Sequence, residues 1–235
     1  MRRKDGREEA KLRKVKFEKD YLKYPQGSCF IQTGNTKIIC SATFEDSVPP
    51  FLRNSGTGWV TARYGMLPGS CPDRVSRNQQ TGRIFEIQRL IGRSLRAVVD
   101  MDKIGEGTLW VDCDVLQADG GTRTASITGG FVAMWLAFET MKKEAIIKEN
   151  PIREFVAAVS VGIVDENMLL DLTYHEDSQA QVDMNIVLTE SNKIIEIQGS
   201  AETIPFDKKQ LDEMLNVAQR GIQEIIVFQK ELLQS

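Results

Sequence analysis

No run of about 18 uninterrupted apolar residues occurs in this chain, so no membrane-spanning helix is expected. It holds a single histidine, His175, which rules out a multi-histidine metal centre. His175 sits in a polar knot and is read as a turn or interface residue. There is no G-x-S-x-G nucleophile elbow, and no glycine pair leads into the G-K-[ST] ending of a phosphate-binding P-loop. The four cysteines, Cys29, Cys40, Cys71 and Cys113, form no C-x-x-C pair. Cys29, Cys40 and Cys113 lie in apolar strand-like runs, where cysteine acts as a small buried side chain. Neither a zinc site nor a disulfide framework is indicated. The basic N-terminus is followed by no apolar segment of the signal-peptide kind. Trp59, Tyr64, Trp110 and Trp135 are too scattered to suggest a base-stacking platform. No low-complexity linker divides the chain, and residues 1–235 are read as one domain. A soluble protein of the reducing cytoplasm fits these absences.

What is present begins with an uneven charge distribution. The 235 residues are 41% hydrophobic and carry a net charge of −3, which does not advertise a nucleic-acid partner. Yet Arg53, Arg63, Arg74, Arg77, Arg83, Arg89, Arg93 and Arg96 fall in one window with two acids and no lysine. Arginine presents a planar fork that matches phosphate, so its exclusive use there suggests phosphate binding. A charged helix face with ion pairs accounts for some of Arg89, Arg93 and Arg96.

Hydrophobic periodicity predicts strands at about 14–20, 27–34, 36–45 and 57–64, with a tight hairpin at Gly34-Asn35. A helix is expected over about 83–101, a strand over 108–118 and a helix over 123–147. Strands at about 155–164, 168–174, 182–189 and 193–199 precede a final helix over 207–233. That order predicts an α+β fold of mixed sheets with flanking helices.

Between the strand ending at Ala118 and the helix beginning near Arg123 stands Asp119-Gly120-Gly121-Thr122. Two glycines let backbone N–H groups converge, and the following helix adds its positive end. Thr122 contributes a hydroxyl and Arg123 a guanidinium. The segment suits a phosphate equally as it suits a flexible turn with a helix cap.

Further on, Tyr174-His175-Glu176-Asp177-Ser178 separates two strands, and Asp183 follows. Val182, Met184, Ile186 and Leu188 share one face of the second strand, and Asp183 and Asn185 share the other. Two neighbouring carboxylates would repel unless a hard cation such as Mg²⁺ sat between them. The same aspartates also fit a turn whose side chains cap backbone N–H groups.

Taken together, several blocks resemble the ribonuclease PH family, phosphate-dependent 3′→5′ exoribonucleases of bacteria. They include Gly56-Thr57-Gly58-Trp59-Val60, Tyr64-Gly65-Met66-Leu67-Pro68, the run from Glu86 to Arg96, and Gln117-Ala118-Asp119-Gly120-Gly121-Thr122-Arg123. Glu176-Asp177-Ser178 and Asp183-Met184-Asn185 complete the set, so the likeness covers nearly the whole chain. It implies a fold like the second domain of ribosomal protein S5, and a homo-hexamer built as a trimer of dimers. It implies inorganic phosphate held by Arg83, Gly121, Thr122 and Arg123. It assigns Asp177 and Asp183 to catalysis and to a divalent cation, Mg²⁺, and the RNA-guiding contacts to Arg74, Arg77 and Arg96. The implied substrate is the 3′ end of precursor transfer RNA and other RNAs, and the product a nucleoside 5′-diphosphate. A non-catalytic ring subunit, as among exosome proteins, is the main rival. The chain departs from the family's pattern in its short 69–82 loop and in Arg63, where glutamate is usual.

Overall fold

A computed structural model of the chain describes residues 3–76 and 81–234. Arg77 therefore lies outside the described residues. The first sheet contains β1 (Val15–Lys19), β2 (Gly27–Thr33), β3 (Thr36–Glu45), β4 (Trp59–Met66) and β5 (Thr108–Gln117), in the order β1-β2-β3-β5-β4. Its pairings are antiparallel except β4 with β5, which is parallel because α1 (Gly82–Arg96) lies in the connection between them. The second sheet is wholly antiparallel: β6 (Val156–Val164), β7 (Asn167–Leu170), β8 (Val182–Thr189) and β9 (Ile194–Ala201), in the order β7-β6-β8-β9. The expected α+β architecture with two sheets and flanking helices is what the chain adopts, with only the first sheet mixed.

The long helix α2 (Thr122–Lys143) packs against β2 and β3 of the first sheet and β6 of the second. A helix covered on opposite sides has no polar face, and Ile127, Phe131, Val132, Met134 and Phe138 are all fully buried. One apolar cluster thus runs from Cys29 in β2 to Ile226 in α4 (Lys208–Gln234) and joins both sheets. Close approach depends on small residues. A Cβ on Gly129 would lie 2.6 Å from Ile31 Cγ2 and 3.0 Å from Cys40 Sγ. Gly129→Ala should therefore lower stability by about 1–3 kcal/mol through overpacking. Thermal unfolding checks this, with an expected fall in Tm of about 2–12 °C.

Three elements end earlier than their patterns predict. The helix expected over 83–101 stops at Arg96, where Ala97 N–H returns to Arg93 O at 3.1 Å and Val98 N–H to Leu95 O at 3.3 Å. The helix expected to reach 147 stops at Lys143. Ala145 turns left-handed (φ 58°), and Ile146 N–H returns to Met141 O at 2.9 Å. That is a Schellman-type stop, and it folds the apolar Ile147 back into the core. The strand expected over 168–174 stops at Leu170, because Asp171 is left-handed (φ 54°). The chain then forms α3 (Tyr174–Asp177), a single turn opened by a capping box between Thr173 and Glu176. This early stop places Asp177 at the end of a helical turn and brings it toward the strand that bears Asp183.

Candidate active site

Tyr64, Arg83, Gly121, Thr122, Arg123, Asp177 and Asp183 all line one cleft of about 380 Å³. One side of it is the turn after β5. Gly120 and Gly121 are both left-handed (φ 73° and 66°), a conformation that disfavours any side chain. A Cβ on Gly120 would stand 2.4 Å from Leu172 O, so this turn touches the segment that leads into α3. Gly121 caps α2 without a side-chain bond, which leaves the first N–H groups of the helix available.

Thr122 and Arg123 open that helix. The Tyr64 hydroxyl donates to Thr122 Oγ1 at 2.9 Å, so the Thr122 proton is free to serve an acceptor in the cleft. Burial pushes the Tyr64 phenol up; its bond to Thr122 and the fields of Arg83 and Arg123 oppose that shift. Arg123 Nη1 donates to Gln198 Oε1 at 3.2 Å, and Gln198 Nε2 donates in turn to Glu86 Oε1. Arg83, the second residue of α1, is exposed and makes no ion pair among the described residues. Two guanidiniums thus face the cleft with no carboxylate bound to either, the condition for receiving an outside anion. Sequence reasoning gave no role to Tyr64 or Gln198. Tyr64→Phe should raise the KM for phosphate about 2–10-fold, the worth of one hydrogen bond, with the fold unchanged. Steady-state kinetics at varied phosphate measure it.

Across the cleft stand the acids. Asp177 ends α3 at the cleft mouth, and Asp183 is half-buried near the start of β8, paired between Gly162 and Ser200. Burial pushes the Asp177 carboxyl up, and Asp183 adds to it; Arg123 and Arg83 pull it back. Burial likewise raises Asp183, with Glu202 adding and Arg123 opposing. Among the described residues no cluster of three or more acidic, histidine or cysteine side chains could hold a metal. A cation here would rest on Asp177 and Asp183 and complete its shell with water and substrate phosphate oxygens. Mg²⁺ commonly binds that way, and two carboxylates facing one cleft fit it.

The remaining candidates divide. Arg74 is exposed on the loop whose Cys71 and Val75 line the cleft, so it stands at the rim. Arg96 is not brought to the site. It lies at the far end of α1, donates to Val60 O at 2.8 Å, and stacks 4.2 Å from the Trp59 ring centroid. Arg93 forks onto Glu196 at 2.8 and 2.6 Å, as a charged helix face would. Arg63 stacks on Trp110 on the other side of the sheet, 5.1 Å from the ring centroid.

Residues 11–138 match the model of the 3′ exoribonuclease family, domain 1, and residues 154–221 match its domain 2. The chain belongs to the ribonuclease PH family. Ribonuclease PH of Syntrophomonas wolfei subsp. wolfei is 54% identical over 237 residues, covering 99% of each chain. That of Bacillus subtilis (strain 168) is 53% identical over 236 residues, covering 98% of this chain and 96% of the other. At this identity over the full length, the activity is that of a phosphorolytic 3′→5′ exoribonuclease. Solved structures share the fold at low identity. Rice Rrp46 superposes with a TM-score of 0.81 at 16% identity, covering 98% of this chain and 100% of that one. An Archaeoglobus fulgidus exosome with RNA bound to the active site gives 0.83 at 20%, covering 95% and 91%. Among the described residues no helix is long and apolar enough to cross a membrane.

Proposed function

We propose that inorganic phosphate sits between Arg83, Arg123, the Thr122 hydroxyl and the amides after Gly121, and attacks the last phosphodiester of an RNA strand. One observation carries this reading. Two guanidiniums without carboxylate partners and two carboxylates with raised pKa values face the same cleft. An oxygen of the phosphate forms the new bond to phosphorus, and the 3′-oxygen of the preceding ribose leaves and takes up a proton. The terminal nucleotide departs as its 5′-diphosphate. Attacking and attacked groups are both anions, so the cationic wall must hold them together; each charge-assisted bond contributes about 1.5–3 kcal/mol. Asp177 and Asp183 would hold Mg²⁺, which supplies charge neutralisation at the scissile phosphodiester. Alternatively, the raised pKa of Asp183 suits it to deliver the proton to the leaving oxygen.

The natural substrates in this reading are 3′ ends of precursor transfer RNA and of other RNAs, guided at the rim by Arg74. The assembly is a hexameric ring, a trimer of dimers; the similar fold of an archaeal exosome core supports a ring. The four free cysteines, three of them buried, suit a reducing cytoplasm. A non-catalytic ring subunit would lack one wall of the cleft, and here both are present. The test is a short labelled RNA incubated with and without inorganic phosphate. Nucleoside diphosphate released only with phosphate is the expected product. Monophosphate released by water would overturn the reading.

A further inference from the structure

Neither Arg3 nor Arg13 lines the cleft, yet both are almost wholly buried, 3% and 5% exposed. The segment that carries them joins the two walls. Arg13 donates from Nε to Asp171 Oδ2 at 3.0 Å and from Nη2 to Asp171 Oδ1 at 2.6 Å. Its backbone N–H also reaches Oδ2, at 2.8 Å. The same guanidinium donates to Asp119 O and, at 3.4 Å, to Gly120 O. One side chain therefore ties the glycine turn of the first sheet to the residue that ends β7 in the second. Burial opposes the charge on Arg13, and Asp171 outweighs that and holds its pKa up.

Arg3 acts one step further along. It forks onto Glu176 at 2.7 and 2.6 Å and donates to Leu170 O at 2.7 Å and Asp171 O at 3.0 Å. Glu176 is the capping residue of α3, and Asp177 follows it directly. Arg7 flanks the same acids more loosely, 3.7 Å from Asp171 Oδ2 and from Glu176 Oε2. Buried ion pairs recover little net stability after desolvation, so the two short, forked pairs at this junction are better explained by the geometry they fix. Fork geometry matters here, since lysine could satisfy the charge but not the paired bonds.

We infer that Arg13 with Asp171, and Arg3 with Glu176, form a two-point clamp that sets the phosphate-binding turn against the acid-bearing turn α3. Arg13 positions the turn at Gly120 and Gly121, and Arg3 positions Asp177. The inference rests on the cleft reading proposed above. A misplacement of about 1 Å can cost up to about a hundredfold in rate, so loosening either point is expected to be costly.

The test uses the full chain with Arg13→Lys, Asp171→Asn and Arg3→Lys. Asparagine tolerates the left-handed conformation at 171, so that variant keeps the backbone if Arg13→Lys fails to fold. Inorganic phosphate is titrated calorimetrically, and kcat, KM for phosphate and Tm are measured beside it. Arg13→Lys and Asp171→Asn should raise the phosphate Kd and KM about tenfold while kcat changes less. Arg3→Lys should lower kcat about tenfold and leave the phosphate Kd within about twofold. A purely structural role predicts the contrary: kcat falling with the folded fraction while Kd and KM stay put. That result, or wild-type binding in the folded Arg13 and Asp171 variants, overturns the clamp alone. A wild-type chain that binds no phosphate overturns the cleft reading and the clamp with it.

Discussion

Arg123→Ala should lower kcat/KM for phosphorolysis by about three orders of magnitude, the scale on which a transition-state arginine acts in phosphoryl transfer. The fold should survive. Arg123 occupies the second position of α2, and its one side-chain bond among the described residues is to Gln198 at 3.2 Å. Alanine is a better helix former than arginine, so α2 loses nothing locally. The loss therefore falls on the anion. Without Arg123 the cleft keeps Arg83 as its cationic side chain, too little to hold two anionic groups in contact. KM for phosphate should rise and kcat should fall together. Arg123→Lys should recover only a small part, because a single ammonium lacks the paired donors. A second effect follows from position. Arg123 opposes the upward shift of both Asp177 and Asp183, so its removal lets both pKa values climb. The acid limb of the pH–rate profile should move to higher pH in Arg123→Ala, and a Tm within a degree or two of wild type should accompany it. Near-normal RNA shortening at limiting phosphate would move the phosphate site elsewhere.

The cationic wall was only half legible locally. The glycine pair between an alternating strand and an apolar helix suited a phosphate and a capped turn equally, and only the family likeness added Arg83, which opens α1 as Arg123 opens α2. The acidic wall was less legible still. Asp177 and Asp183 stand six residues apart across a turn, and only the family likeness preferred them over capping aspartates. A local signal did exist: Thr173-x-x-Glu176 is a capping box, and it marks the helical turn that lifts Asp177 out of the strand. Arg96 stands apart from the cleft. Helical spacing grouped it with Arg89 and Arg93, but that spacing does not say what the face meets, and here it meets Trp59 and Glu196. The clamp left no trace in the sequence, because Arg13 and Asp171 are 158 positions apart and nothing local couples them. The core was legible wherever one face was apolar. It was less so in α2 and β6, where burial on every side erases periodicity.

With Asp183 as a cation ligand, Asp183→Asn separates chemistry from stability, because the two then respond to pH with opposite signs; as proton donor the two would share one sign. Turnover should fall about 10²–10⁴-fold, the range for a lost acid–base group, and added Mg²⁺ should not restore it. If the carboxylate must be ionised to hold a cation, wild-type activity rises as pH climbs through its raised pKa. Stability runs the other way. The folded Asp183 holds its proton to higher pH than the unfolded chain, whose value is the ordinary 3.8. Folded protein thus binds more protons across that window, and stability falls as pH rises through it. Asparagine cannot ionise, so the variant escapes this loss and also relieves Asp177 of its neighbour's charge. Asp183→Asn should therefore unfold at a higher temperature than wild type near neutral pH. The difference should shrink toward zero as pH drops below the ordinary aspartate range, where both proteins are neutral at this position. Melting curves at a series of pH values, run beside turnover, test both halves. A lower Tm at neutral pH would make Asp183 a stabilising partner in the fold, and wild-type turnover would remove it from the reaction.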